Sequence, residues 1–458
     1  MTSGSSSHQI TEGVIWKQLL IFFFPILLGT FFQQMYNTVD TIIVGRAVGT
    51  QALAAVGTTG PLMNLVNGFF TGFSSGATVV LAQFYGARDR DGVTKTIHTS
   101  IALALAMGVV GTLFGCLAGP AILRLIKTPE DCIQEASLYT RIYFAGITAT
   151  TVYNMGSGLL RAMGDSKRPM IFLIVTCFVN IVMDLLLVVV FRMGVAGAAI
   201  ATVIAQAVSA VLVILALMGL PEGSSLQLRK LSFDRGVVGS IMRIGLPAGL
   251  QFTTFDAANV LIQGGINSFG SVVMAAWAAY AKTEAIMWMI STALGVAVTT
   301  FVGQNFGAQK YGRIRQSVRT GLAISVVLIG GLCAGVIFFR NPILGIYSTD
   351  QNVIAMGARI LLWIMPYIVI YMPAEVFAGA MRGTGYAIAP TVITFGCVSV
   401  FRVLWVLTVV SHFHTPGVLA MSYPISWTMC AVAFTAVYLR GTWLKKPIAQ
   451  CGMEPEIR

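Results

Sequence analysis

Apolar runs of about 20 residues or more recur along the whole chain, and no long polar domain interrupts them. A helix needs about 20 apolar residues to cross the hydrocarbon of a bilayer. Only 10% of the 458 residues are charged, whereas a soluble domain has about 25% charged residues. A soluble protein of this composition would expose a large apolar surface. We therefore predict an all-α integral membrane protein, which excludes a soluble enzyme.

The breaks between these runs predict twelve transmembrane helices. Most of the 29 Lys and Arg residues then lie on the side that carries both termini, and the positive-inside rule places that side in the cytoplasm. The net charge of +12 follows from this topology, so no nucleic-acid partner is needed to explain it. The predicted spans are 15–44, 53–82, 96–122, 136–160, 169–191, 195–219, 240–268, 272–303, 317–339, 354–381, 390–411 and 418–440.

The polar segment 220–236 divides the spans into two sets of six, and the two sets resemble each other. The shift that places Thr78 on Thr299 brings TVVLAQFYGA onto TTFVGQNFGA, and the same shift brings RAMGDSKRP onto RGTGYAIAP. Because six is even, both halves run in the same sense and are related by an axis along the membrane normal, around a central cavity typical of alternating access. The predicted divisions are an N-terminal tail (1–14), an N-lobe (15–219), a linker (220–239), a C-lobe (240–440) and a C-terminal tail (441–458).

Two carboxylates lie at similar predicted depth in the first lobe. Asp40 is in the first span, and Asp184 is in the fifth, one turn after Asn180. Thr202 in the sixth span is at comparable depth, and Asn154 in the fourth lies deeper. An acid within a membrane span is energetically expensive, so it is by default a candidate functional group.

Such a pair has two possible uses. Two carboxylates held close together and away from water repel each other, which favours uptake of a proton. The same oxygen atoms also suit a hard cation such as Na⁺, by analogy with Ca²⁺ and Mg²⁺. The alternative is a pair of interfacial acids neutralised by Arg46 and Arg192.

The second lobe carries three acids, Asp256, Glu284 and Glu375. They are candidates for binding an organic cation, and the alternative is charge balance with Lys282 and Arg402. Aromatic rings and thioethers near them suit flat organic cations, although such residues in membrane helices more often serve packing or lipid contact. The candidates for substrate contact are Glu375, Asp256, Tyr371, Trp277 and Met287.

Prolines interrupt several spans. Pro25 and Pro247 occupy nearly equivalent positions in the two halves and are candidate hinges, because proline removes a backbone donor and bends a helix. The seven cysteines are scattered without a metal-ligand spacing, so neither a disulfide framework, a metal nor a cofactor is expected.

The residues quoted above resemble those of the multidrug and toxic-compound extrusion (MATE) family of bacterial transporters over essentially the whole length. The resemblance rests on the Pro25–Asp40–Gly45 pattern, on GFSSGATVVLAQFYGARD and LRAMGDSKRP in the first half, and on GINSFG and QNFGAQ in the second. It implies two six-helix lobes around a V-shaped cavity, and efflux driven by protons or sodium. It also implies a cation or proton site at Asp40, Asn180, Asp184, Thr202 and Asn154. Tyr371 departs from the family pattern, because many members carry an acid there.

We therefore expect an antiporter of the bacterial cytoplasmic membrane. It would act as a monomer and exchange amphipathic, cationic organic compounds for H⁺ or Na⁺. One alternative is a flippase for lipid-linked precursors, which would favour a basic cavity. Another is a passive channel or receptor, which would need no coupled carboxylate pair.

Overall fold

The computed structural model describes residues 9–125, 128–130, 132–221 and 224–450, and all regular elements within these ranges are helical. The α-helices are α1 (Ile15–Ala47), α2 (Thr50–Gly86), α3 (Arg90–Leu125), α4 (Ile133–Ala145), α5 (Ile147–Ala162), α6 (Lys167–Asp184), α7 (Gly194–Met218), α8 (Arg235–Asn267), α9 (Ser271–Gly307), α10 (Tyr311–Phe338), α11 (Arg340–Tyr347), α12 (Gln351–Gly383), α13 (Ile388–Thr394), α14 (Phe401–Trp405), α15 (Ser411–Phe413), α16 (Pro416–Arg440) and α17 (Thr442–Gln450). The all-α fold class is confirmed.

Within the described residues, ten helical segments are long and apolar enough to cross a membrane by length and composition. The two other predicted spans correspond to α8 and to α4 with α5, which are joined at Gly146. Large apolar side chains also project from the helices into the surroundings. Leu117, Leu439 and Phe338 are 79%, 76% and 77% exposed. Such side chains are at home in lipid rather than in water.

The internal repeat is visible in the backbone as well as in the sequence. At three pairs of positions that the Thr78-to-Thr299 shift superposes, both residues have a positive φ angle. Only glycine adopts this conformation readily. These pairs are Gly49 (121°) and Gly270 (88°), Arg88 (58°) and Gln309 (58°), and Gly164 (93°) and Gly385 (85°).

The turns after α2 and α9 also share their hydrogen bonds. The backbone N–H of Asp89 donates to Phe84 O at 3.0 Å, and the N–H of Lys310 donates to Asn305 O at 2.8 Å. The same shift places the donor and the acceptor of the first turn on those of the second. The repeat predicted from sequence clusters therefore extends to local backbone geometry.

The chain packs into two compact units, and the boundaries between them fall inside helices. One unit is Ile21–Leu246, and the other contains Ile10–Leu20 together with the chain from Pro247 onward. α1 and α8 therefore each contribute to both units. One division lies at the predicted hinge Pro247 and the other shortly before the predicted hinge Pro25. The predicted lobe limits and the hinge role of these prolines stay predictions.

Side-chain hydrogen bonds attach the start of α1 to the second unit. Lys310 Nζ donates to Thr11 O at 2.8 Å, and Arg313 Nη1 donates to Gly13 O at 2.9 Å. In the first unit, the N–H of Asp234, just before α8, donates to Thr99 Oγ1 at 3.2 Å. Polar anchors thus fix the beginning of each of these two long helices.

Equivalent glycines allow close helix contact in each unit. A Cβ on Gly158 would lie 2.4 Å from Thr78 Oγ1, and a Cβ on Gly379 would lie 2.7 Å from Gly295 O. Gly158 and Gly379 are again superposed by the repeat shift. The second span of each half therefore packs closely on the fourth span only because these positions carry no side chain.

The predicted tails are only partly described, because residues 1–8 and 451–458 lie outside the described ranges. Within the predicted C-terminal tail the chain forms α17 directly after α16. Gly441, between the two helices, has a φ of 69°. This left-handed conformation is a common way to end a helix, and it allows the chain to change direction.

Candidate ion-coupling site

Asp40 and Asp184 are buried together in the first unit. Asp40 lies in the last part of α1, and Asp184 is the last residue of α6. Asp184 is fully buried and Asp40 is 7% exposed. The two carboxyl groups are close enough to interact electrostatically. The structure thus brings together the two acids that the sequence analysis paired.

Most of the carboxyl oxygens of this pair lack a partner among the residues that the structure describes. Asp40 Oδ1 and both carboxyl oxygens of Asp184 are buried and receive no hydrogen bond from the described residues. The amide oxygen and nitrogen of Asn180, one turn before Asp184, are also buried without a partner. Buried polar atoms cost free energy unless they are hydrogen-bonded or bind a cation. The arrangement is therefore suited to a proton shared between the carboxyl groups or to a small cation.

The neighbouring arginines do not neutralise the acids. Arg46 and Arg192 have exposed side chains, whereas both aspartates are buried. Within the described part of the chain, no ion pair joins an arginine to Asp40 or Asp184. The alternative of interfacial acids paired with arginine does not agree with this geometry.

Thr202 and Asn154 are placed differently from each other. Thr202, on α7, is 6% exposed, and its hydroxyl donates to Ala198 O at 3.1 Å. Its oxygen retains lone pairs that can accept a hydrogen bond or contact a cation. Asn154, on α5, is half-buried. Their participation in the site remains a prediction.

Two tyrosines near the pair were not identified from the sequence. Tyr36 precedes Asp40 by one helical turn and is 7% exposed, so both side chains lie on one face of α1. Tyr36 and Tyr139 are both close enough to Asp40 to interact with it electrostatically, and Tyr139 is also within range of Asp184. The one-turn spacing in α1 would have identified Tyr36, whereas nothing in the sequence brings Tyr139 to the site.

A polar network in the same unit was also missed. Asn67 Nδ2 donates to the Tyr143 hydroxyl at 2.7 Å. Gln206 Oε1 accepts a hydrogen bond from the Thr150 hydroxyl, and the Gln206 side chain lies next to the Tyr143 hydroxyl. The Tyr143 ring stacks on Tyr139 with ring centres 6.4 Å apart. The network links α2, α4, α5 and α7 around the tyrosine next to the acids.

The helix changes its hydrogen-bonding pattern directly after Asp184. Leu185–Val190 is π-helical, and the N–H of Phe191 donates to Leu186 O at 2.9 Å, one residue further back than in an α-helix. In the other half, the π-helical segment Val406–Val410 begins at the residue that the repeat shift places on Leu185. π-Helical turns are rare and occur frequently at functional sites.

The second unit contains a buried cation instead of an acid pair. Arg402 is 1% exposed, and its Nε donates to Ser426 Oγ at 2.8 Å. Its guanidinium lies 4.0 Å from the centre of the Tyr423 ring and 5.4 Å from that of Trp427. Arg402 also interacts electrostatically with the buried Glu284. The aromatic faces of Tyr423 and Trp427, which were not among the residues singled out from the sequence, thus contact a cation of the protein itself.

The aromatic candidates in this unit pack on one another. Trp277, at 5% exposure, contacts Tyr423 with ring centres 5.8 Å apart. Tyr371, at 2% exposure, lies between Trp288 and Trp427, at 5.4 and 5.7 Å. Together with Tyr423 and Trp427, which contact Arg402, these rings form a mostly buried aromatic layer, as expected of core packing.

The remaining second-lobe candidates differ in environment. Glu375 forms an ion pair with Arg382 at 3.4 Å, two helical turns further along α12. The sequence analysis considered Lys282 and Arg402 as its partners and missed Arg382, although the two-turn spacing on one helix face signals it. Asp256 is half-buried, Lys282 is exposed and Met287 is fully buried. Contact of the five candidates with substrate stays a prediction.

Curated relatives cover nearly the whole chain. "Probable multidrug resistance protein YoeA" of Bacillus subtilis is 28% identical over 447 residues, which are 95% of this chain and 96% of the relative. "Multidrug export protein MepA" of Staphylococcus aureus is 22% identical, and the alignment covers 94% of this chain and 95% of the relative.

Solved structures share the fold. "Crystal structure of MATE in the bent conformation" matches with a TM-score of 0.89 at 22% identity, over 97% of this chain and 99% of the other. "Outward-facing conformation of a multidrug resistance MATE family transporter of the MOP superfamily" matches with a TM-score of 0.89 at 22% identity, over 97% and 100%. At this level of identity the likeness is evidence of fold.

The MatE family model matches the chain twice, over residues 25–186 and 247–407. Each match covers most of one sequence half, in agreement with the repeat seen in the backbone. These two matches cover more than half of the chain, and the chain therefore belongs to the MatE family of multidrug and toxic-compound extrusion transporters.

Proposed function

We propose that this protein is a secondary active antiporter that exports amphipathic, cationic organic compounds in exchange for H⁺ or Na⁺. The observation that carries the proposal is the buried pair of Asp40 and Asp184, in which Asp40 Oδ1 and both Asp184 oxygens lack donors within the described part of the protein. The names of its relatives describe multidrug resistance and export, which supports organic compounds as the substrates.

The pair couples ion entry to transport through its occupancy. An H⁺ or Na⁺ bound there removes the mutual repulsion of two carboxylates in a site of low dielectric constant. The Asn180 amide and the Thr202 hydroxyl supply further oxygens, and Asn154 stands as a candidate. Ion and substrate need not touch the same atoms, because each acts by stabilising one facing of the transporter more than the other.

The substrate side of the proposal concerns the second lobe. Asp256 is the leading candidate, because it is half-buried rather than enclosed. The other candidates would contact substrate only after the aromatic layer or the ion pair between Glu375 and Arg382 opens. They are Glu375, Tyr371, Trp277 and Met287. The proposed location is the bacterial cytoplasmic membrane, with both termini in the cytoplasm and the monomer as the working unit.

Dye efflux from an efflux-deficient bacterial host tests the proposal. Cells expressing the protein are loaded with a cationic dye, and the proton and sodium gradients are then collapsed separately. Export is expected to stop when one of the two gradients is lost. Asp40→Asn and Asp184→Asn are each expected to abolish gradient-driven export at unchanged protein level.

Asp91→Asn is the matched control. Asp91 is exposed and pairs with Lys95 one turn away, and such surface pairs contribute little. This variant should export dye like the parent. Gradient-driven export that survives in both Asp40→Asn and Asp184→Asn would overturn the proposed coupling site.

A further inference from the structure

A cavity of about 250 Å³ lies in the second unit, where α10 begins and where α16 passes into α17. Its lining contains the basic side chains of Arg315, Arg319 and Lys445, and the aromatic side chains of Tyr438 and Trp443. None of the described residues that line it is acidic. The coupling mechanism uses none of these groups.

The walls of the cavity are fixed by contacts within the protein. Trp443 is 2% exposed, and its Nε1 donates to Tyr438 O at 3.2 Å. The two rings stack with their centres 5.3 Å apart. Thr384 Oγ1 donates to Trp443 O at 3.0 Å, which ties the start of α17 to the end of α12. The aromatic side of the cavity is therefore preformed.

The basic groups surround this aromatic wall. Arg315 and Arg319 lie one turn apart on α10 and are close enough to the Tyr438 hydroxyl to act on it electrostatically. Lys445 is exposed on α17. Arginine and lysine at such a concave site favour a phosphate group, through charge and through N–H donors.

The cavity lies at the level of the membrane surface. α10 and α16 are both long and apolar enough to span the membrane, and the cavity lies where one starts and the other ends. α17 is amphipathic, because Leu444 and Ile448 are 6% and 3% exposed while Lys445 and Lys446 are exposed. A short helix of this kind, with Trp and Lys, is typical of the interface between headgroups and acyl chains.

We propose that this cavity binds the headgroup of an anionic phospholipid. The phosphate would lie among Arg315, Arg319 and Lys445, and the acyl chains would follow the apolar outer surface near Leu439, which is 76% exposed. On the proposed topology the lipid belongs to the cytoplasmic leaflet, where anionic headgroups attract basic residues. The bound lipid would hold α17 at the surface of the bilayer.

Lipid titration of the purified full-length protein tests this proposal. The protein is prepared in an uncharged detergent and titrated with short-chain phosphatidylglycerol, phosphatidylcholine or inorganic phosphate, with binding followed by native mass spectrometry. Phosphatidylglycerol is expected to bind most tightly. The triple variant Arg315→Gln/Arg319→Gln/Lys445→Gln should bind it roughly 100-fold more weakly, since each basic residue near an anionic surface contributes a factor of about 5.

The control is Arg229→Gln/Lys230→Gln/Arg235→Gln, which removes the same charge from exposed residues between α7 and the start of α8. It should bind phosphatidylglycerol like the parent. The single variant Lys445→Gln alters only an exposed side chain and should weaken binding about 5-fold, which keeps a readout if the triple variant fails to fold.

Three results would overturn the proposal. They are equal binding of phosphatidylcholine and phosphatidylglycerol, a loss of binding in the control as large as in the cavity variants, and inorganic phosphate binding as tightly as the lipid. The readout does not involve transport, so failure of the antiporter proposal would leave it unaffected.

Discussion

The two halves of this protein share a repeated backbone structure but differ in the charged side chains that they bury. In the first unit, Asp40 and Asp184 are buried together without a cation from the described residues. In the second, Arg402 is buried against Tyr423 and Trp427, with Glu284 in electrostatic range. The acids of the first unit thus have no cation beside them among the described residues, whereas the second unit supplies a cation of its own.

The repeat locates this difference in the chain. The shift that places Thr78 on Thr299 also brings Asn180 and Asp184 onto Phe401 and Trp405, next to Arg402. The π-helical segment that follows is kept in both halves. The backbone was therefore retained while the polar side chains were exchanged. We infer that the first unit carries the ion-dependent step and that the charge of the second unit is structural.

The largest expected effect comes from removing the internal cation. Arg402→Met removes the hydrogen bond to Ser426 and the contacts with two aromatic rings, and it leaves Glu284 buried without this nearby cation. The loss of a hydrogen bond from a charged group and of two cation–aromatic contacts costs about 2–4 kcal/mol. The free energy of unfolding of the purified protein in detergent should fall by this amount, as measured by denaturant titration.

The double variant Arg402→Met/Glu284→Gln sharpens this test, because it removes both charges. It should recover part of the lost stability, since a neutral pair avoids the desolvation cost. If Arg402→Met is as stable as the parent, the charge is not structural and the comparison between the units fails.

The next effect compares the two close helix contacts. Gly379→Ala places a methyl group 2.7 Å from the backbone oxygen of Gly295, which cannot rotate away. Gly158→Ala meets chiefly the hydroxyl of Thr78, at 2.4 Å, which can rotate. Overpacking costs about 1–3 kcal/mol, and we expect the cost for Gly379→Ala to be the larger in parallel unfolding measurements. The reverse order would show that the second unit is the more adaptable one.

The smallest expected effect is on stability at the coupling site. Asp184→Asn removes a buried carboxylate that lacks donors and introduces an amide N–H that can donate to Asp40. The free energy of unfolding should stay the same or rise by up to about 1 kcal/mol, even though transport is lost. A fall of more than roughly 2 kcal/mol would give Asp184 a structural role like that of Arg402.

The fold could be predicted from the sequence because the length and apolar composition of a run indicate a membrane-spanning helix. Run length predicted the spans, and the shift between the two halves predicted the repeat, which the structure shows again in the turns at Arg88 and Gln309. The helix is interrupted at Gly146, between α4 and α5. The continuous apolar run 136–160 did not indicate this break. α17 was missed because a short segment with two lysines does not stand out from a polar tail.

The candidate site was predicted only in part. Asp40 and Asp184 were found because a charge is conspicuous in an apolar span. Tyr139 was missed because an aromatic residue is common in membrane helices and only tertiary packing brings it to the acids. The enclosure of Arg402 by Tyr423 and Trp427 was missed for the same reason, since cation–aromatic contacts between α14 and α16 leave no spacing signature within one helix.

Counterflow in proteoliposomes tests the central claim most directly. The reconstituted protein is supplied with an outward dye gradient, and the opposing movement of H⁺ or Na⁺ is recorded with a trapped pH dye or with radioactive sodium. The parent should move one of these ions against the dye, and Asp184→Asn should bind dye but move neither ion. Coupled ion movement of undiminished rate in Asp184→Asn would contradict the account.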